Sequence, residues 1–286
     1  MSGWSDPLYR PRTEFPTDAR ILPFAGVACG VVVTDTDPDT PQAQWMDDRE
    51  VALFVLEDVG PVELRPLLTE FLLHAASLAD RSTSAEIHLA SRDIDRARVA
   101  REVGFTPSSV LAVADLARPA TALPTVQADV TVRDAQPADA DVVARLWHAQ
   151  ADYEGRIGSL RDSDAIRRAI AASVSGYLEG PTTVLLAEHD DTVSGVVLAE
   201  STENSTWVGA RLALAPVSYL AMASTDPSAR GGGVGSTLVA ALHARHRASG
   251  IRLIGLHYSP FNPLSVPFWS QQGYRPVLTH FARSVG

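Results

Sequence analysis

The run Arg230-Gly231-Gly232-Gly233-Val234-Gly235-Ser236 is the segment of this chain whose residue types most directly suggest chemistry. Glycines carry no Cβ, so successive backbone N–H groups can turn toward one anion, and a helix starting at the end of the run adds its positive dipole end. Such an arrangement cradles a pyrophosphate without a lysine. It is not a dinucleotide-binding loop. Counted from Gly231, the last glycine of G-x-G-x-x-G falls on Ser236, and counted from Gly233 it falls on Leu238. Taken alone, the glycines also suit a plain strand-to-helix turn.

Composition narrows the choice. All 24 basic residues are arginine, and the chain has no lysine. A Walker-type phosphate loop, a protein kinase and a pyridoxal enzyme each need a lysine, so all three are excluded. Cys29 is the only cysteine, which rules out four-cysteine zinc sites and internal disulfides; no metal site is expected. The net charge is −10, which argues against general nucleic-acid binding, a process that rests on basic patches. It divides as −8 over residues 1–128 and −2 over residues 129–286, so a polyanionic ligand belongs with the second half. The longest apolar run, Ile21 to Val33, contains Pro23 and has 13 residues, against about 20 for a membrane span. The amino terminus lacks a basic segment leading into an apolar one. A cytoplasmic protein without membrane association is expected.

The loop needs a strand before it and a helix after it, and the pattern supplies both. Short β-rich runs are predicted at Val130–Arg133, Thr182–Ala187, Val193–Ala199, Val217–Ser224, Ile251–His257 and Arg275–Ala282. Helices are predicted over Asp139–Ala149, Asp164–Tyr177, Gly233–Ala248 and just after Asn262. The order is βααβββαβαβ. Residues 1–118 replay part of it: a hairpin within Ile21–Val33, strands at Val51–Leu56, Ala85–Ala90 and Ser108–Ala114, and helices at Val62–Leu78 and Ile94–Val103. Asp93…Gly104-Phe105 and Asn262…Gly273-Tyr274 share one eleven-residue spacing, which points to an internal duplication, with chance likeness of two βαβ units as the alternative. Pro119 and Pro124 mark residues 119–128 as a linker. The expected division is a first domain over 1–118 and a second over 129–286.

In that context Ala223-Ser224-Thr225-Asp226-Pro227-Ser228-Ala229-Arg230-Gly231-Gly232-Gly233-Val234-Gly235 resembles the acyl-CoA signature of the GNAT superfamily of N-acetyltransferases. Asn262, Ser265, Phe268-Trp269 and Gly273-Tyr274 match the superfamily's later motif. The tandem layout is similar to that of mycothiol synthase and other double-GNAT proteins, in layout only. The resemblance implies an α/β (α+β) fold of two GNAT-like domains, each a mixed, splayed, mostly antiparallel sheet flanked by helices. It implies coenzyme A, as acetyl-CoA, in a cleft between the strand ending at Ser224 and the strand Ile251–His257. Ala223, Ser224 and Thr225 would offer backbone groups to the pantetheine. Arg230, Gly231, Gly232, Gly233, Val234, Gly235 and Ser236 would hold the pyrophosphate. Asn262, Ser265 and Trp269 would line the other side, Asn262 also serving as a helix cap.

Two familiar positions depart from the superfamily. Its strand glutamate corresponds to Tyr219, and its tyrosine acid to Trp269. Direct acyl transfer still needs a proton acceptor for the amine and a proton for the departing thiol. The available catalytic groups are Tyr219, His257, whose residue type titrates near ~6.5, and Tyr258, each with a packing role as its alternative. Glu200 at a strand end, and His148, Tyr153 and Glu154 between the first two helices, are the candidate substrate contacts. In the first half the turn Leu56-Glu57-Asp58-Val59-Gly60-Pro61-Val62-Glu63 is short and acidic, so that copy is expected to be degenerate and unable to bind coenzyme A. The resulting expectation is an N-acetyltransferase, monomer or homodimer, acting on a small amine. A non-catalytic acyl-CoA-binding protein and a protein or peptide acetylase are the alternatives.

Overall fold

The computed structural model describes residues 6–118, 129–161, 163–190 and 192–285; the expected linker 119–128 lies outside them, as do Met1–Ser5. In chain order the strands and helices are β1 (Arg20–Phe24), β2 (Val27–Asp35), β3 (Arg49–Phe54), α1 (Pro61–Ser77), β4 (Thr83–Ala90), α2 (Ile94–Glu102) and β5 (Thr106–Asp115). Then follow β6 (Thr131–Asp134), α3 (Ala140–Arg156), α4 (Asp164–Glu179), β7 (Thr183–His189), β8 (Thr192–Glu200), α5 (Thr206–Gly209) and β9 (Val217–Thr225). The chain ends with α6 (Val234–Ala248), β10 (Leu253–Tyr258), α7 (Ser265–Gln271) and β11 (Arg275–Ser284). Apart from the one-turn α5, the second half has the predicted βααβββαβαβ order. No helix among the described residues is long and apolar enough to cross a membrane.

The chain forms two compact units. Unit 1 takes residues up to Pro38, Trp45–Leu111 and the strand from Pro276 onward; unit 2 takes Asp39–Gln44 and Ala112–Arg275.

In unit 1 the strand order is β1-β2-β3-β4-β11, followed by the first part of β5. β3 and β4 are parallel, and the β1–β2, β2–β3 and β4–β11 pairs are antiparallel. Alternation along the strands puts Val31, Val51, Leu53, Ile87, Leu89 and Phe281 into one core with Leu64, Leu67, Leu68 and Phe71 of α1 and Val99 of α2.

In unit 2 the order is the end of β5, then β10-β9-β8-β7-β6. Strands β7 and β8 carry continuous apolar runs, Val184–Ala187 and Val196–Ala199, because both faces are covered there. Leu185, Ala187, Val197 and Ala199 pack on Leu238, Val239 and Leu242 of α6. Val184, Leu186, Val196 and Leu198 pack on Val143, Leu146 and Trp147 of α3 and on Ile166, Ile170 and Val174 of α4. Gly195 lets α6 come this close, since a Cβ there would stand 2.9 Å from both Leu238 Cδ1 and Val234 Cγ1.

The shared eleven-residue spacing has a geometric counterpart. Asp93 accepts the Arg96 amide at the head of α2, and Asn262 accepts those of Leu264 and Ser265 at the head of α7. Each helix ends at a left-handed glycine, Gly104 (φ +93°) or Gly273 (φ +86°). The next residue, Phe105 or Tyr274, bonds back to Ala100 or Trp269 and is buried.

Candidate active site

Strands β9 and β10 run parallel and pair only from Leu253↔Val217 to Gly255↔Tyr219. Beyond that rung β9 continues to Thr225 and β10 to Tyr258. On its other side β9 slips by one residue against β8: Leu198 faces Met222 and Ala199 faces Leu220, leaving Ala221 as the extra residue. A bulge of this kind bends its strand. Between residues 220–225 and 256–258, no strand pairing closes the edges among the described residues. Ala223, Ser224 and Thr225 lie on that edge. The Ser224 side chain is buried, and its hydroxyl has no hydrogen-bond partner.

The glycine run follows immediately. Asp226 ends the strand and organises the turn: its Oδ1 accepts the amide and hydroxyl of Ser228 at 3.0 and 2.7 Å, and its Oδ2 meets Arg145 at 2.9 Å. Those bonds from Ser228, helped by Arg145, hold its carboxyl below the usual range. Gly231 (φ +79°) and Gly233 (φ +82°) take the left-handed conformation. Gly233 is the N-cap of α6, with no side-chain cap and no acid in the first turn. The first N–H groups of α6, on Val234, Gly235 and Ser236, lack intrahelical acceptors by construction.

A Cβ on Gly235 would stand 3.2 Å from Phe268 Cζ and 3.4 Å from Thr225 Oγ1, so a side chain would fill the cradle. Arg230 is exposed, with its guanidinium 4.9 Å from the centre of the Tyr153 ring. Ser236 accepts a hydrogen bond from Gln272 at 3.1 Å. These features fit a diphosphate: first-turn amides, a cation at the rim and no acid in the first turn of α6.

The head of α1 in unit 1 is its counterpart by chain order and differs in each respect. Pro61 removes an N–H, Glu63 sits in the first turn, and Glu57 already binds Arg96 at 2.8 Å.

Where β9 and β10 part, the Tyr219 hydroxyl lies 3.0 Å from Nδ1 of His257. Burial first, and the charge of Glu200 second, push the Tyr219 phenol up, while a hydrogen bond from the His257 backbone lowers it. The net effect keeps it protonated at neutral pH. Tyr219 is therefore a hydrogen-bond partner for the imidazole and a poor proton acceptor. Trp207 of α5, 51% exposed, stacks on His257 at 5.9 Å and meets Tyr219 edge-on at 4.9 Å. Glu200 is the cross-strand partner of Tyr219, and burial raises its carboxyl. Glu200 also lines a cavity of about 340 Å³ with Tyr177, Ser173, Thr182 and Asn204.

The other candidates are distributed around this group. Alternation sends Tyr258 to the opposite face of β10 from His257, where it packs against the α6 core. Asn262 is buried and its amide is fully engaged: Oδ1 caps α7 at 2.9 and 3.1 Å, and Nδ2 donates to Glu154. Glu154 is 8% exposed; burial raises its carboxyl, and bonds from Asn262 and Ser159 partly offset that. Ser265 supplies one of the amides capped by Asn262. Trp269 is a core residue, edge-on to Phe268 at 4.8 Å and to Tyr274 at 5.2 Å. His148 faces the carbonyl of Arg167 at 3.1 Å, tying α3 to α4. Sequence reasoning missed Trp207, Tyr177 and Asn204. Trp207 left one signal, a large aromatic directly after the polar stretch Ser201–Thr206 that precedes β9.

The model of the family described as Acetyltransferase (GNAT) family matches residues 146–274. This part of the chain matches the GNAT family. The matched stretch contains the glycine run, the parting strands and the Tyr219–His257 pair. Among solved structures, a GCN5-related N-acetyltransferase from Sphaerobacter thermophilus is 15% identical with a TM-score of 0.58, covering 91% of this chain and 78% of that one. A functionally unknown conserved protein from Staphylococcus epidermidis ATCC 12228 is 13% identical with a TM-score of 0.56, covering 96% and 94%. A tandem GNAT protein from the clavulanic acid biosynthesis pathway is 16% identical with a TM-score of 0.48, covering 91% and 79%. The first two likenesses establish the fold, a mixed α/β arrangement of sheet flanked by helices. No curated protein matches the sequence.

Proposed function

We propose that the GNAT domain is an acetyl-CoA-dependent N-acetyltransferase whose acceptor is a small amine, and that residues 1–118 supply a companion domain without a coenzyme A site. One observation carries the reading. The uncapped, acid-free head of α6 adjoins the open edge of β9, so amides for a diphosphate and amides for an extended pantetheine lie in sequence along one path. Acetyl-CoA, when bound, supplies an acetyl group activated as a thioester. Val234, Gly235 and Ser236 would hold its diphosphate, with Arg230 at the rim, and residues 223–225 its pantetheine.

The protein's own groups then have these tasks. Glu200, in its cavity, binds the acceptor as a cation. The bound ammonium first gives one proton to solvent to free its lone pair. As the C–N bond forms and the C–S bond breaks, His257 takes the second proton from the nitrogen, and the departing thiolate is protonated by water. Tyr219 fixes the imidazole ring, and Trp207 covers it. General base assistance of this type contributes about 10²–10⁴-fold.

The test is thiol release from acetyl-CoA over a panel of small amines, run beside calorimetric binding of acetyl-CoA. Turnover with at least one amine is expected. Tight binding with no turnover on any amine would make the protein a binder and sink the enzymatic reading.

A further inference from the structure

Unit 1 has a second sheet face, opposite the one covered by α1 and α2. Strand alternation places Glu50 of β3, Glu86 and His88 of β4 and His280 of β11 on it, while Val51, Ile87 and Phe281 point into the core. The registers make them neighbours: His280 pairs with His88, Ala282 with Glu86, and Ala52 with Glu86. The two imidazoles are stacked, 3.8 Å between centroids and 21° between planes. His88 Nε2 lies 3.3 Å from Glu86 Oε2. One ligand atom each from Glu86, His88 and His280 falls within 4.8 Å of the other two.

A sheet face of purely structural purpose has little reason to gather these groups. The carboxyls of Glu50 and Glu86 hydrogen-bond to each other, and Asp47 adds further negative charge beside both. Two carboxylates in contact repel unless a proton or a cation lies between them. Arg49 is turned away, held by Asp35 and Asp80. The side chains of Glu86 and His88 are each 13% exposed, so water screens them poorly. Phe54 stands edge-on to His88 at 6.2 Å and limits its rotation.

We infer that Glu86, His88 and His280, with Glu50 beside them, form a binding site for a zinc-class dication that fastens β11 to β3 and β4. The distances suit one. Ligand atoms at about 2.0–2.2 Å from a tetrahedral ion stand about 3.3–3.6 Å apart, so atoms now within 4.8 Å of one another need to close by up to about 1.2–1.5 Å. The stacked rings would rotate until their lone pairs converge on the ion. Imidazole nitrogens with carboxylate oxygens select zinc, cobalt or nickel over magnesium and calcium, which prefer oxygen alone. Its role here is structural, because it binds three strands of unit 1 and no residue of the GNAT site takes part.

The experiment uses the full chain after dialysis against a chelator. Calorimetric titration with Zn²⁺ should show one equivalent bound, with no uptake of Mg²⁺ at the same concentration, and Co²⁺ should give visible bands of nitrogen and oxygen ligation. His280→Gln and Glu86→Gln should each weaken Zn²⁺ binding by at least ~10-fold, while His189→Gln, in unit 2, leaves it unchanged. Zn²⁺ should raise the melting temperature of the wild-type chain and not that of His280→Gln. If either variant does not fold, X-ray absorption at the zinc edge of the wild-type complex decides, with two imidazole nitrogens expected in the first shell. Absence of Zn²⁺ and Co²⁺ uptake, uptake unchanged in both folded variants, or a shell without imidazole would overturn the site.

Discussion

The Tyr219 hydroxyl and Nδ1 of His257 are 3.0 Å apart at the point where β9 and β10 cease to pair. Their roles are unequal. Burial and Glu200 keep the phenol protonated, which leaves the imidazole as the proton acceptor of the pair. Replacing His257 with Gln should lower kcat by ~100-fold or more and remove the acidic limb of the pH–rate profile. Tyr219→Phe deletes one hydrogen bond of about 1 kcal/mol. It should reduce kcat by roughly 5–10-fold with both limbs of the profile retained. Wild-type turnover in His257→Gln would remove His257 from the chemistry.

The glycine run makes a graded prediction. Gly235→Val collides with Phe268 and Thr225 and fills the cradle, so the acetyl-CoA Kd should rise by ~30-fold or more, as expected for about 2 kcal/mol of lost contact. At Gly231 a side chain meets open space, but φ is +79°. Gly231→Ala should therefore cost about 1–2 kcal/mol of stability with a smaller change in Kd. Gly233→Glu should abolish binding and Gly60→Glu should leave it intact, since the head of α1 already carries Glu63 and Pro61. Calorimetry of all four variants with acetyl-CoA checks the series. Equal losses in Gly233→Glu and Gly60→Glu would refute a single site.

How far the sequence could be read follows from these same residues. The cradle is legible because backbone access requires glycine, and a strand–glycine–helix run can be recognised within a dozen residues. The pairing of Tyr219 with His257 is 38 residues long in sequence and depends on which strand lies beside β9, which no local pattern records. Glu154 is legible as polar but not as buried: its partner Asn262 is 108 residues away. Trp207 looks like a loop residue until His257 is placed beneath it. The His88–His280 stack lies furthest out of reach, because nothing in an alternating strand announces its neighbour.

On the proposed reading Glu200 binds the amine, so its variants should separate the two substrates. Glu200→Gln should raise the KM for the amine by ~10-fold and leave the KM for acetyl-CoA unchanged. The pH dependence has a definite sign. Burial raises the Glu200 carboxyl, so it ionises later than an ordinary glutamate, and attraction for a cation grows as pH rises through that raised value. The amine KM of the wild type should therefore fall with rising pH over that window, and the profile of Glu200→Gln should be flat there. A parallel slope in both proteins would assign the dependence to another group.

Glu154 offers a test of stability that needs no substrate. Burial, the largest influence, places its folded-state carboxyl above the unfolded value of about 4.3, despite the bonds from Asn262 and Ser159. A raised acid stabilises the fold while it is protonated, below the unfolded value. That contribution is lost as pH rises through the folded one. Glu154→Gln keeps a carbonyl oxygen to accept the Asn262 amide and removes the charge. Its melting temperature should match the wild type near pH 4 and exceed it by a few degrees near pH 8. Asn262→Ala behaves oppositely: it removes the cap of α7 and strands the Glu154 carboxylate, two losses of about 1–2 kcal/mol each. It should be destabilised throughout, and most at high pH. Thermal unfolding of the three proteins between pH 4 and 8 measures both slopes. A Glu154→Gln variant less stable than wild type at pH 8 would mean that the ionised carboxylate is the favoured form in the fold, and that Asn262 outweighs burial at this position.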